Sequence, residues 1–412
     1  MHLSKQFIVL NVALFISKRL QNSKKVGYTK TVISIATFSV ALGIFVMVIS
    51  YSILLGFKET IIKKITSFSS HMQITKYDSN ESYDDLPMPA SKKNLFQNIS
   101  EIKHIHAYAL KTGLLKTDDE LHGVILKGLE NDFDTSLFQE NLVEGKFIRW
   151  NDTAESLDIL ISKKTSAKLN LKVGDQVLLY FIQNPPRFRK VHVSGIYSTG
   201  MEELDDIFVI GDLKLIRKLN NWNDSIVGGI EIFIHNFKKI NEIEKKIFDA
   251  MDYDMQLELV TDKYVQIFDW MRLLDKNVVI FLIIVLCVAG FNMMSSIVIM
   301  IMERTQMIGI LRALGASNFM IGKIFLFNGI ALLLKGLLVG NLLALLFCLA
   351  QYKLKFIPLD PENYYMSYVP IYWDIENIII LNAIIIFLII IALLTPFLII
   401  KRIPPSRAIR FS

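Results

Sequence analysis

The stretch TVISIATFSVALGIFVMVISYSILL, Thr31 to Leu55, decides the fold class. It holds about 25 residues and no charge, enough for a helix to cross roughly 30 Å of hydrocarbon. Three further blocks share its character. Asn277–Met302 and Asn377–Ile400 carry no charged side chain, the second interrupted only by Pro396, and Ile324–Ala350 carries one, Lys335. In a chain of 412 residues with mean hydropathy +0.40 and 52% hydrophobic residues, apolar residues gathered into such blocks mark a membrane protein rather than a soluble core. Four transmembrane helices follow.

The flanks orient them. Lys5, Lys18, Arg19, Lys24, Lys25 and Lys30 precede the first block without an acidic residue, and Lys401, Arg402, Arg407 and Arg410 follow the fourth without one. Cationic flanks resist translocation, so both termini are expected in the cytoplasm. The connector Met302–Ser317 then lies on the same side, and the long insert between the first two spans lies outside. The formal charge of +6 sits beside the membrane, where it sets topology and attracts anionic lipid; no nucleic-acid partner is indicated. Cys287 and Cys348 both fall inside spans, so the exported insert has no disulfide. Phe7–Ile16 is too short to span and precedes Lys18 and Arg19 with no small-residue cleavage site. It reads as an interfacial helix on the inner leaflet.

The expected division is 1–30 cytoplasmic with the interfacial helix, 31–56 first span, 57–276 outer domain with helical stalks, and 277–302 second span. It continues as 303–323 cytoplasmic connector, 324–350 third span, 351–376 outer loop, 377–400 fourth span and 401–412 cytoplasmic tail. The outer domain reads as α+β, and its length allows two subdomains. HMQITK, GVILKGL, DQVLLYFI, KVHVSGIY, DIFVI and VGGIEIFIH alternate or are β-branched, as strands do. SKKTSAKL, GDLKLIRKLN and KKINEIEKKIFDAM place apolar residues three and four apart, as helices do. GFKETIIKKITSF continues the helical spacing beyond the first span, and DKYVQIFDWMRLLDKN enters the second without Pro or Gly, so both spans should extend as stalks.

Catalytic signatures are missing. No G-x-x-x-x-G-K-[ST] loop, H-E-x-x-H or G-x-S-x-G occurs, and GASNFMIGK has the wrong spacing to cradle a phosphate. His104 and His106 would share a strand face, but a catalytic zinc needs about three ligands, so solvated loop histidines are expected rather than a metal site. GMEELDD, Gly200–Asp206, lacks the alternation and central Gly of a calcium loop and reads as a solvated turn between strands. Tyr180–Ser194 reads as two strands around a turn bearing Pro185 and Pro186, with Arg187, Arg189 and Lys190 at a basic tip. Such a tip either protects an exposed hairpin from edge pairing or docks a soluble partner.

Lys335 lies about 17 Å into its block, counted from Ile324. An ammonium at that depth should face protein or water: a substrate cavity near Asn292 or Asn341, or an interhelical hydrogen bond. Gly336 and Gly340 beside it form a G-x-x-x-G pair that permits close helix approach. In the connector, Met307, Ile310, Leu311 and Leu314 form one apolar stripe, while Arg304, Ile308 and Arg312 fall on another face and Gly315 is suited to end the helix. A helix of this kind lies on the inner leaflet or docks into a partner's groove.

ERTQMIGILRALGAS followed by FMIGKIFLFNG resembles the cytoplasmic segment of FtsX-like ABC permeases, the superfamily that includes the MacB-type exporters. LLGFKETIIKKITSFSSHMQIT, LKVGDQVLLYF, VHVSGIYSTGMEELDD and IKRIPPSRAIRF resemble the lipoprotein-releasing (Lol-type) permeases at matching positions, nearly end to end. The resemblance implies a non-catalytic half-transporter of the bacterial inner membrane that pairs with a second permease copy or paralogue and two separate ATPase subunits. ATP and magnesium would be held by the ATPases, with no cofactor on this chain. The segment 303–323 would be the coupling helix resting on the ATPase, through Glu303, Arg304, Met307, Ile308, Gly309, Ile310, Leu311, Arg312, Leu314 and Gly315. The outer domain would be periplasmic. The stalks would carry motion outward, expelling a lipoprotein to a periplasmic carrier, and the hairpin with Pro185, Pro186, Arg187 and Arg189 sits where some members recruit that carrier. Alternatives within the superfamily are MacB-like export of a drug, peptide or toxin and FtsX-like control of a cell-wall hydrolase. A membrane-anchored enzyme is disfavoured, because no nucleophile or metal constellation is visible.

Overall fold

The computed structural model describes residues 13–17, 19, 28–78, 83–118, 120–151, 153–360 and 364–394. The orienting residues Lys5, Lys18, Lys24 and Lys25, most of the expected interfacial helix, Pro396 and the tail motif from Ile400 onward lie outside the described residues. Contacts divide the chain into a helical unit (Met1–Lys58, Trp270–Pro358 and Tyr368–Ser412) and a sheet-rich unit (Glu59–Asp269 and Leu359–Ser367).

Helix α1 (Tyr28–Ser69) is one continuous helix of 42 residues. At 1.5 Å per residue it is about 63 Å long, roughly twice the hydrocarbon thickness, so it continues well past its apolar block. It ends where Ser70 turns left-handed at φ 55°. The chain then forms β1 (Met72–Lys76), β2 (Met88–Pro89), β3 (Ile102–Lys116), β4 (Leu121–Leu129), β5 (Leu142–Gly145) and β6 (Asp158–Ser162). Next come α2 (Lys163–Leu169), β7 (Gln176–Phe181), β8 (Arg187–Tyr197), α3 (Glu202–Ile207), β9 (Phe208–Asp212) and α4 (Leu213–Asn220). The unit finishes with β10 (Ile226–Val227), β11 (Gly229–Ile234), α5 (Ile240–Ala250), β12 (Met255–Leu259) and the short α6 (Val260–Lys263). Three long helices follow, α7 (Val265–Glu303), α9 (Asn318–Leu354) and α10 (Ile375–Ala392), with α8 (Thr305–Ala313) between α7 and α9.

All but β2 and β10 join one sheet, ordered β12-β1-β11-β3-β4-β9-β6-β8-β5. Strand β7 pairs with both β3 and β8, so β3, β4, β9, β6, β8 and β7 close a ring, while β11, β1 and β12 extend from β3 as an open arm. Closure leaves those six strands without a free edge. Leu179, Val191, Val193, Ile161 and Val209 share one face of the ring by register, and all are buried. Strand β7 buries every second residue (Val177, Leu179 and Phe181), whereas β9 and β11 are buried on both faces. The domain is therefore α+β, inserted between the first two of four helices that, among the described residues, are long and apolar enough to cross a membrane.

Two expectations need correction. GMEELDD is not a solvated turn: Glu202–Ile207 is helical, and buried Asp205 accepts bonds from the Thr199 amide (3.0 Å) and hydroxyl (2.8 Å) and the Gly200 amide (3.3 Å). A loop that must satisfy its own amides recruits the nearest carboxylate, which periodicity cannot reveal. The histidine pair lies on β3 rather than in a solvated loop, and His106 is fully buried.

The helical unit packs α1 against α9 through small residues. A Cβ built on Gly336 would lie 2.7 Å from Val40 Cγ1, and one on Gly340 2.6 Å from the Ala41 carbonyl oxygen. Only glycine permits this approach, so the G-x-x-x-G pair functions as its spacing suggests. Ser39 accepts from Asn292 Nδ2 at 2.6 Å between α1 and α7, and Asn341 and Asn382 exchange amide bonds of 3.0 and 3.1 Å between α9 and α10.

Candidate functional site

Helix α8 is mounted firmly at both ends. Arg304 leaves the helical region at φ −108°, ψ 20° and separates α8 from α7. At the other end Gly315 adopts φ +89°, its amide donates to Arg312 O (2.9 Å), and the Ala316 amide donates to Leu311 O (2.9 Å). These two bonds make a Schellman end, which glycine alone adopts without strain. Two residues later the Ser317 hydroxyl accepts from the Met320 amide (3.2 Å) and caps α9, so the chain reverses in a minimal turn. Arg312 Nη2 donates to Asn318 Oδ1 (2.6 Å) across that turn.

The face that α8 buries differs from the expected stripe. Ile308, placed with the arginines by periodicity, has 0% exposure and packs in one cluster with Ile301, Ile321 and Phe325. Gly309 is buried beside it, and Met307 and Leu311 pack against that cluster. Ile310 and Leu314 are instead 51% and 79% exposed, on one face with Gln306 and Ala313. The connector is apolar around more than half its circumference, so tertiary packing rather than period selects the inner face. Glu303 and Gly315 are exposed, and Arg304 and Arg312 are half-buried. The result is a short, rigid helix presenting two apolar side chains, geometry suited to a partner's groove.

The expected cavity residues do not converge. Asn292 and Asn341 serve the interhelical bonds to Ser39 and Asn382. Lys335 is exposed, with no hydrogen-bond or ion-pair partner among the described residues. At the hairpin, Pro185, Pro186, Ile182 and Phe188 are exposed. Arg187 donates Nη1 to Lys218 O (2.8 Å) and Leu219 O (2.9 Å) and Nη2 to Asn221 Oδ1 (2.9 Å), closing the carbonyl end of α4. Arg189 Nη1 bonds the Phe188 carbonyl (2.9 Å). Of the three expected basic residues only Lys190 is exposed, while Arg187 and Arg189 are half-buried, so the tip is more apolar than expected.

A cluster that sequence reasoning missed lies in the sheet-rich unit. Glu231 on β11 is fully buried and accepts from Lys127 Nζ (2.7 Å), Gln73 Nε2 (2.6 Å) and His106 Nε2 (2.8 Å). Lys127 also donates to Phe68 O, the last turn of α1, and lies 5.0 Å from the Phe68 ring centroid. Burial pushes the Glu231 carboxyl up, but Lys127 and then His106 more than offset it and hold it below the usual carboxylate range. Burial lowers the Lys127 ammonium while Glu231 raises it. Three donors on one carboxylate favour the charged pair. Its signal was present in GVILKGL and VGGIEIFIH, each an apolar strand with one charge. No group of three His, Cys, Asp or Glu side chains suited to a metal occurs among the described residues.

Four spanning helices, a sheet-rich insert after the first and a rigid amphipathic connector after the second define a membrane permease layout. Residues 34–242 match the family described as MacB-like periplasmic core domain, and residues 279–405 match that described as FtsX-like permease C-terminal. The chain belongs to this FtsX-like, MacB-type family of ABC transporter permeases. It is 24% identical over 422 residues to the lipoprotein-releasing system transmembrane protein LolC of Buchnera aphidicola subsp. Schizaphis graminum, covering 96% of this chain and 98% of that protein. It is 23% identical over 353 residues to the transmembrane protein LolE of Haemophilus influenzae, covering 82% and 83%. Among solved structures, the periplasmic region of MacB from Actinobacillus actinomycetemcomitans aligns with 49% of this chain and 95% of its own, at TM-score 0.35 and 14% identity.

Proposed function

We propose that this chain is an inner-membrane permease subunit that releases lipoproteins towards a periplasmic carrier and the outer membrane. The observation that carries the reading is its similarity, over nearly its whole length, to proteins named as lipoprotein-releasing transmembrane subunits. The chain itself is non-catalytic and binds no cofactor; ATP and magnesium are held by two ATPase subunits. Helix α8 is the coupling helix, with Ile310 and Leu314 seated in the ATPase and Ile308 fixing the helix to the spans. Both termini are cytoplasmic, the sheet-rich domain is periplasmic, and spans 31–56, 277–302, 324–350 and 377–400 cross the bilayer. A second permease, a copy or a paralogue, completes the pathway. The exposed hairpin tip at Pro185 and Pro186 is the contact offered to the carrier.

The match to the MacB-like core supports a second reading, export of a drug, peptide or toxin from the periplasm. Depletion of the chain followed by membrane fractionation separates the two. Lipoproteins retained in the inner membrane support release; lipoproteins reaching the outer membrane normally while a toxic compound accumulates support export.

A further inference from the structure

Beside the Gly336 and Gly340 contact, α1 and α9 leave a groove of about 390 Å³, within the range of small-ligand pockets. Its walls are Phe38, Leu42, Phe45, Val339 and Leu343, and the hydroxyl-bearing Ser34 and Thr37 lie at the end nearer the start of α1. Lys335 stands one helical turn before Val339 and level with Thr37, whose carbonyl oxygen is 3.2 Å from a Cβ built on Gly336. Beyond it along α9, Leu338, Val339, Leu342 and Leu346 are all exposed, so Lys335 stands at the start of an apolar stripe. Lysine bears the only formal charge in the four apolar blocks, and a second copy of this chain would bring no carboxylate to it.

An uncompensated ammonium against hydrocarbon is costly. Lys335 is about 17 Å into its own block but level with Thr37, which lies only about 9 Å past the start of the α1 block; by that second count the four-carbon stem reaches towards the headgroups on that side. A molecule with a long apolar chain and an anionic head satisfies the walls and the cation together. We propose that the groove binds an anionic phospholipid, one acyl chain lying along the α1–α9 seam and its phosphate paired with Lys335. By the orientation proposed above the lipid comes from the inner leaflet; the site itself does not depend on what is transported.

The test uses the full chain in phosphatidylcholine nanodiscs with trace phosphatidylglycerol or phosphatidylcholine carrying a photoactivatable acyl chain, and crosslinks mapped by peptide mass spectrometry. Phosphatidylglycerol should label residues 34–45 and 339–343 in preference to phosphatidylcholine. Lys335→Met should lower that labelling about five-fold, the effect of one cation near a lipid surface, while Lys335→Arg retains it. Val339→Trp, which fills the groove and keeps the cation, should abolish labelling there but leave that of the exposed α7 face around Phe281 and Ile284, an internal check on folding. Equal labelling by the two lipids, or a preference untouched by Lys335→Met, overturns the proposal. So does labelling by a diacylglyceryl-cysteine peptide that excess phosphatidylglycerol does not compete, which would assign the groove to an acylated protein. Loss of lipid labelling when a second permease is co-purified would assign the face to that subunit and overturn it likewise.

Discussion

The sheet-rich and helical units achieve close packing by opposite means. In the first, Glu231, Lys127 and His106 are buried together, each charge answered by a donor or acceptor within 2.8 Å. In the second, the contact between α1 and α9 sets glycines against backbone and the Val40 and Ile44 side chains, the polar bonds are amides and a hydroxyl, and Lys335 is exposed. The difference follows from the surroundings. Water drives apolar burial in the sheet-rich unit and leaves enough margin to hold an ion pair, whereas in lipid there is no hydrophobic gain between helices and fit must supply the association.

The comparison can be broken most forcefully at Glu231. Glu231→Ala strands the Lys127 ammonium and is expected to destabilise the sheet-rich unit by about 3–5 kcal/mol, read as lost hydrogen-exchange protection in β11. Lys127→Met with Glu231→Leu should recover most of it. Retained protection in Glu231→Ala would show that the cluster is not dry.

His71 gives a pH dependence with a defined sign. Burial first, then nearby Lys103, lowers its imidazole to about 4, and its Nδ1 accepts from the Ile234 amide at 3.3 Å, so the folded form holds it neutral. Unfolded, it would take a proton near pH 6.5, so the stability it contributes is complete above that value and lost as pH falls towards 4. A loss of about 2–3 kcal/mol across that window is expected in thermal unfolding, and His71→Gln should flatten it.

In the helical unit, Gly340→Val should cost about 1–3 kcal/mol by forcing α1 and α9 apart. Buried Cys348 on α9 and exposed Cys287 on α7 report this directly. Maleimide labelling of Cys348 should rise about ten-fold with Cys287 unchanged; an unchanged Cys348 would mean that the seam tolerates a side chain.

The sequence made the spans legible because composition alone defines them, three helices of the outer domain because their periods show, and six strands because alternation or β-branched runs mark them, even where β9 and β11 are buried on both faces. Strand β3 was not legible, although it is the longest strand among the described residues: HIHAYALKTGLLK mixes His, Lys, Thr and Gly, and its middle, His106–Lys111, is buried on both faces, which erases alternation. The Glu231 cluster depends on Gln73, His106, Lys127 and Glu231 meeting from four strands, a pairing that no local pattern contains. The connector was legible as an amphipathic helix ended by Gly315, but its inner face was not, since Ile308 is buried by α9 residues that follow the turn. Asn292 and Asn341 looked like cavity residues because their partners, Ser39 and Asn382, lie far away in sequence.

The central claim is that an ATPase grips α8 by its outer face. The direct measurement is the amount of ATPase that co-purifies with the full chain carrying Ile310→Asp or Leu314→Asp. Wild type should retain it, and both variants should lose it with Cys348 still protected. Retention at the wild-type level in both variants, or a wild-type chain that brings down no ATPase, would contradict the account.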